Sequence, residues 1–211
     1  MATASHPDVG ALVLAAGAFG DDQTALALGP WGTTTLVEHV AAGAAAVVET
    51  VIVVLGCDGD RAAELVDLGG ATIVVDPEWA EGVASPLRAG LDEMSRRAGI
   101  EHVVVIDTAV PDIPVAVLQD LIDAHAAAPH SIQGRRRGDR SATVARFRYA
   151  RSGPVVLARD LWERFLGMEG STPIHQTLSV HPDWVNEIWI DRLPPIEVHT
   201  HDDLRSIAPR R

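Results

Sequence analysis

The chain contains no lysine; all 17 of its basic residues are arginine. That absence excludes a Walker-type phosphate loop, a Schiff-base enzyme and any other mechanism with an obligatory lysine. Cysteine is nearly absent as well. Cys57 stands alone, so there is no internal disulfide and no cysteine cage for a metal, and Cys57 reads either as a small residue closing a strand or as a reactive thiol. Aromatic residues make up 4% of the chain, which leaves Ala, Val, Leu and Ile to build the core. Positive charge is scarce beside 29 acidic residues, and the net charge of −12 argues against a nucleic-acid or anionic-membrane partner. No apolar run is long enough for a bilayer, and the first basic residue is Arg61, so no basic leader precedes a hydrophobic segment. A cytoplasmic location is the expectation.

What is present is ordinary globular material, 47% hydrophobic and 22% charged over 211 residues, which favours one domain spanning 1–211 with its core at about 10–205. Residues 10–15 form a short apolar run ending at Gly17, which reads as a buried strand. A glycine-rich loop over 16–33 follows, and Thr34 or Thr35 can cap an Ala-rich helix to about Val48. Strands at 50–55, 71–75 and 102–107 then alternate with helices beginning near Asp58, at Ser85–Pro86 and at 115. This rhythm predicts right-handed βαβ units and a mainly parallel sheet covered on both faces. Beyond 128 the pattern changes. Segment 143–149 alternates, with Ala145, Phe147 and Tyr149 opposite Arg146 and Arg148, which predicts an antiparallel or edge strand. Helices at 159–167 and 173–180, strands at 186–190 and 195–198, and a last helix from Asp202 complete the expectation.

In open α/β sheets ligands bind beyond the carboxyl ends of the strands, which directs attention to loop 15–33. Ala15-Ala16-Gly17-Ala18-Phe19-Gly20 is one glycine short of a dinucleotide fingerprint. The long stretch before the second strand also fits that unit poorly, so a dinucleotide-dependent oxidoreductase is the weaker alternative. Leu14-Ala15-Ala16-Gly17 followed at fixed distances by Leu28, Pro30-Trp31-Gly32 and Thr35-Leu36 resembles the opening pattern of the MobA-like nucleotidyltransferases, L-A-A-G-x-x-x-R-M-G-x-x-K-x-L-x-P-W-G-x-x-T-L. Among these it is most similar to the molybdenum-cofactor cytidylyl- and guanylyltransferases. Val74-Val75-Asp76-Pro77-Glu78-Trp79-Ala80-Glu81-Gly82 with Ser85-Pro86-Leu87-Arg88 resembles the family's base- and substrate-side loop. Glu197 through Leu204 resembles its closing D-x-D-T-P-E-D-L.

The resemblance implies a three-layer α/β/α, Rossmann-like fold with a mainly parallel sheet and an antiparallel edge. It implies transfer of CMP or GMP from a nucleoside triphosphate to a molybdopterin-type or other phosphorylated acceptor, with Mg²⁺ or Mn²⁺. It also implies nucleotide contacts at Leu14, Ala15, Ala16, Gly17, Gly20, Gly82 and Ser85. The charged positions depart from the pattern. Aligned without gaps, the family's loop Arg is Asp21 and its Lys is Leu26, and residues 1–60 contain no Arg at all. Each lost charge-assisted hydrogen bond is worth roughly 1.5–3 kcal/mol, so two cost about 3–6 kcal/mol, on the order of a hundred- to ten-thousand-fold in affinity. The metal-binding Asp of the family's G-D-Q-P is Ala109, with Asp107 two residues earlier and His199 at the second metal-side position.

These departures predict impaired catalysis and a dissociation constant for magnesium–nucleotide no better than roughly 0.1–1 mM. The alternative is a non-catalytic protein binding a nucleotide, a cofactor or a partner protein. If the loop keeps the family's path, Asp21→Arg, Leu26→Lys and Ala109→Asp restore the missing groups.

The remaining candidates each carry two readings. Asp107 with His199 holds a softer divalent ion, or Asp107 closes a strand and His199 stands on the surface. Arg135, Arg136, Arg137, Arg140, Arg146, Arg148 and Arg151 form an anion patch, with Arg146 and Arg148 the phosphate candidates, or a solvated hairpin. Arg88, in the first turn of a helix, meets a phosphate or pairs with Asp92. Trp31 and Trp79 stack on a base or pterin, or pack their loops down. His199, His201, Asp202 and Asp203 read as a metal cluster or as a helix start, and Arg137-Gly138-Asp139 reads as a chance match to an integrin motif.

Overall fold

The computed structural model of the chain describes residues 6–128, 141–167 and 172–209. Its elements are, in order, β1 (Val9–Ala15), β2 (Pro30–Trp31), β3 (Thr34–Thr35), α1 (Leu36–Ala45), β4 (Thr50–Leu55), α2 (Gly59–Leu65), β5 (Thr72–Val75), α3 (Ala84–Ser95), β6 (His102–Asp107) and α4 (Val115–Ala127). There follow β7 (Ala142–Phe147), β8 (Ala150–Ala158), α5 (Arg159–Leu166), α6 (Ile174–Ser179), β9 (Val185–Ile190) and α7 (His201–Ile207).

Seven strands form one sheet in the order β5-β4-β1-β6-β8-β7-β9, and β2 with β3 makes a separate short ladder. The strands β5, β4, β1 and β6 run parallel, as their continuous apolar composition predicts for strands covered on both faces. Odd residues of β1 (Val9, Ala11, Val13, Ala15) pack with α1, α2 and α4, while Leu12 packs on the opposite side with α3 and α5. The three-layer α/β/α arrangement follows directly from that alternation. α1 begins where the sequence puts it. Thr35 accepts from the Glu38 N–H and the Glu38 carboxylate accepts in return, a capping box.

The second half departs from expectation in three places. The antiparallel member is β8, which lies inside the sheet between β6 and β7. β8 was not anticipated, because Gly153-Pro154 interrupts its apolar pattern; Gly153 has φ +76° at a register shift in the β7–β8 ladder. β7, which the 143–149 alternation marked as a candidate edge, is the sixth strand, and the edge is β9, parallel to it. Tyr149 does not face the side of Ala145; it is at the hairpin tip and 71% exposed. Residues 195–198 form no strand, and the Val198 N–H donates to the Ala109 carbonyl at 2.7 Å. Among the described residues no helix is long and apolar enough to cross a membrane.

Candidate active site

The carboxyl ends of β1, β4, β5 and β6 carry the loop 16–29, Gly56, the segment 76–90 and Asp107, so the parallel sheet gathers these candidates at one edge. The opening loop is internally braced. Phe19 and Leu26 N–H groups donate to the Thr24 and Gly17 carbonyls at 2.8 and 3.0 Å, and Gln23 N–H donates to Phe19 at 2.9 Å. Gln23 has φ +58°, a left-handed conformation that costs a side-chain-bearing residue about 1 kcal/mol. The opening pattern that the sequence resembles has glycine at this position, and Gln23 takes the left-handed conformation that glycine adopts freely.

The loop is anchored from both sides. Gly20 N–H donates to the His199 carbonyl at 2.7 Å, and the Cys57 thiol donates to the Gln23 carbonyl at 3.3 Å. Burial raises the pKa of Cys57, which fits a packing role. Phe19, Leu26, Trp31, Leu36, Val198 and Leu204 form a separate apolar cluster beneath the loop. Leu26, at the position of the family's Lys, is therefore a core residue at 4% exposure, whereas Asp21 is exposed. A lysine at this position would start from within the cluster rather than from the exposed surface where Asp21 stands. Trp31 is buried as well and stacks on His39 with centroids 4.8 Å apart.

The segment 76–90 keeps more of its chemistry. Asp76 is 4% exposed, and its Oδ1 accepts from the Glu78 N–H at 3.0 Å and from the Ser85 hydroxyl at 3.1 Å. Its Oδ2 is buried with no hydrogen-bond partner. A buried carboxylate oxygen without a donor is costly unless something else supplies one. Gly82, with φ +126°, turns the chain into α3. Gly56 joins this segment to the opening loop, since a Cβ there would lie 2.5 Å from that of Trp79 and 2.6 Å from that of Ala16.

Asp107 and His199 come to the same end of the cleft. Asp107 closes β6 with its Oδ1 accepting from the Ala109 N–H at 2.8 Å, and His199 Nε2 meets Glu197 at 3.2 Å. Desolvation raises the pKa of Asp107, although its side chain is exposed at the end of β6; the Ala109 N–H opposes this, Glu197 adds to it and His199 opposes it more weakly. Asp107, Glu197 and His199 do not converge into a three-ligand group. Among the described residues such a group forms only from Asp21, Asp22 and His201, whose ligand atoms all lie within 4.8 Å of one another. The sequence marked His201 but not its partners, because the two carboxylates lie on a loop remote in the chain.

The arginine candidates lie elsewhere. Arg146 and Arg148, on and just after β7, are ion-paired with Glu187 (3.7 Å) and Asp191 (3.0 Å), and Arg88 approaches Glu81 at 4.0 Å rather than Asp92, which pairs with Arg96. Arg135, Arg136, Arg137 and Arg140, with the Arg137-Gly138-Asp139 tripeptide, lie outside the described residues.

A three-layer fold with a glycine-rich loop after its first strand and a buried acid after its third parallel strand defines a nucleotidyltransferase-type protein. Residues 11–184 match the MobA-like NTP transferase domain, and the chain belongs to that family. Its fold is similar to the Mycobacterium tuberculosis Rv0371c homologue from Mycobacterium sp. strain JC1, at 24% identity over 95% of both chains with TM-score 0.78. It is similar to Rv0371c of M. tuberculosis H37Rv in complex with manganese, at 22% identity over 96% of this chain and 98% of that one, TM-score 0.77. It also resembles CMP:2-keto-3-deoxy-manno-octonic acid synthetase complexed with CTP, at 13% identity over 95% and 97%, TM-score 0.72. A search of curated proteins finds no match.

Proposed function

We propose that the cleft binds a nucleoside triphosphate, with the base beside Asp76, Gly82 and Ser85 and the phosphates toward Leu14–Gly17 and Gly20. The observation that carries this reading is the unpartnered, buried Oδ2 of Asp76. It is an acceptor that an amino or imino N–H of a nucleobase can satisfy, at the strand end where this fold class binds its ligands. The reaction is attack of an acceptor phosphate oxygen on the α-phosphorus, giving the nucleotidylated acceptor and pyrophosphate, with acceptors of the molybdopterin type among the candidates. Its rate falls far below that of a relative with the full motif, because Asp21, Leu26 and Ala109 replace the groups that neutralise phosphate and hold metal.

Asp107 and His199 are what the chain offers at the family's metal position, and a carboxylate–imidazole pair suits Mn²⁺ better than Mg²⁺. The manganese complex of Rv0371c supports including Mn²⁺ in any assay. Isothermal titration with CTP, GTP and ATP, each with Mg²⁺ and with Mn²⁺, tests the proposal. The expected result is binding of at least one nucleotide at roughly 0.1–1 mM that weakens at least tenfold in Asp76→Ala. Absence of binding at millimolar nucleotide, or equal binding by the variant, overturns it.

A further inference from the structure

The opening loop presents a charge problem to any anion. Asp21 and Asp22 stand on it and no Lys or Arg occurs before Arg61. We propose that Asp21, Asp22 and His201 form a binding site for one divalent transition ion, Mn²⁺ or Zn²⁺, which restores positive charge where the family's loop carries Arg. Binding of the ion does not depend on the nucleotide-binding reading; only its use toward phosphate rests on that reading.

The geometry supports a chelating group. One ligand atom from each residue lies within 4.8 Å of the other two, so small side-chain rotations bring all three around one ion. Asp22 is already oriented. Its Oδ1 accepts from the Thr24 N–H at 3.0 Å and the Thr24 hydroxyl at 2.7 Å, which leaves Oδ2 facing His201 Nε2 at 2.9 Å. The His201 ring lies 3.9 Å from that of Phe19, centroid to centroid, and Phe19 is fixed in the apolar cluster. Outer contacts of this kind set the direction of a ligand before the metal arrives. His201 N–H donates to Asp21 Oδ2 at 3.3 Å, which holds the third ligand beside the other two.

The charge of the loop points the same way: Asp21 stands where the pattern that the sequence resembles has Arg, and no basic residue precedes Arg61. A loop that carries two carboxylates and no basic side chain attracts a phosphate only through an intervening cation. The donor set selects the ion. Two carboxylate oxygens with one imidazole nitrogen suit Mn²⁺ or Zn²⁺, whereas Mg²⁺ and Ca²⁺ favour all-oxygen sites.

The test is titration of the full chain, stripped with chelator, with MnCl₂ alone, followed by Mn²⁺ electron paramagnetic resonance and calorimetry without nucleotide. The expected result is one ion per chain and a loss of about 10–100-fold in affinity for Asp22→Asn and for His201→Gln. Asp21→Asn serves as a milder third variant, and far-ultraviolet circular dichroism verifies that each variant is folded. No binding at millimolar Mn²⁺, or affinity unchanged in folded Asp22→Asn and His201→Gln, overturns the proposal. So does loss of the ion in Asp107→Asn with retention in Asp22→Asn, which puts it at the end of β6. Because nucleotide is absent, failure here leaves the Asp76 titration standing, and failure there leaves this one.

Discussion

The opening loop 16–29 and the segment 76–90 meet across Gly56, yet they have kept different things. The first is held by apolar packing and carries exposed carboxylates; the second holds a buried acid, with Asp76 bonded to Ser85 and one oxygen left over. Packing accounts for the difference. Phe19 and Leu26 sit in an apolar cluster with Val198 and Leu204, so the loop's path is held by burial whatever its exposed residues are. Asp76 is itself buried, and its hydrogen bonds hold the turn into α3, so its chemistry cannot drift without disturbing the fold. Exposed charge is free to change where the scaffold is apolar.

The sharpest way to break that comparison is to return a charge to the loop. Leu26→Lys buries an ammonium among Phe19, Trp31 and Leu36 and is expected to cost about 3–5 kcal/mol in urea unfolding, whereas the exposed Asp21→Arg stays within about 0.5 kcal/mol. Equal costs would show that the cluster does not hold the loop. Gly56→Ala strikes both regions at once, since its Cβ meets Ala16 and Trp79. A loss of about 1–3 kcal/mol in thermal or urea unfolding is expected, together with weaker nucleotide binding.

Acid sharpens the contrast further. Burial lowers the pKa of His39, which stacks under Trp31, and of His175 beside Gly153. The unfolded chain therefore takes up these protons first. Stability is full above about pH 6.5 and falls as pH drops toward the folded-state values, and His39→Gln should flatten part of that slope in pH-dependent urea titrations. The smallest effect is a gain. Gln23→Gly relieves a left-handed residue and should raise stability by up to about 1 kcal/mol by thermal melting, with the loop unchanged.

The parallel half of the sheet was legible because its strands are continuously apolar and α1 opens on a recognisable signal at Thr35, while α3 starts at Ala84, two residues before Pro86. The antiparallel half was less so. Gly153-Pro154 masks β8, and the alternation of 143–149 suggests an edge where β7 in fact lies between two strands. Within the site, the glycine-rich loop, Asp107 and the closing segment were all visible in the sequence. The role of Leu26 was not, because nothing local tells a lost lysine from a core leucine. The Asp21–Asp22–His201 group was hidden for a different reason, since its members are some 180 residues apart and meet only through tertiary contacts, the Gly20 to His199 bond among them.

That bond also has a consequence for how the molecule is made. A loop near residue 20 is locked by a carbonyl at residue 199, so during synthesis the first strand can pair and the parallel sheet can grow while the loop still lacks its anchor. The opening loop therefore gains this anchor only once residues 198 and 199 have been made. A chain shortened before Val198 would carry all seven strands of its sheet and leave the Gly20 side of the loop without its anchor.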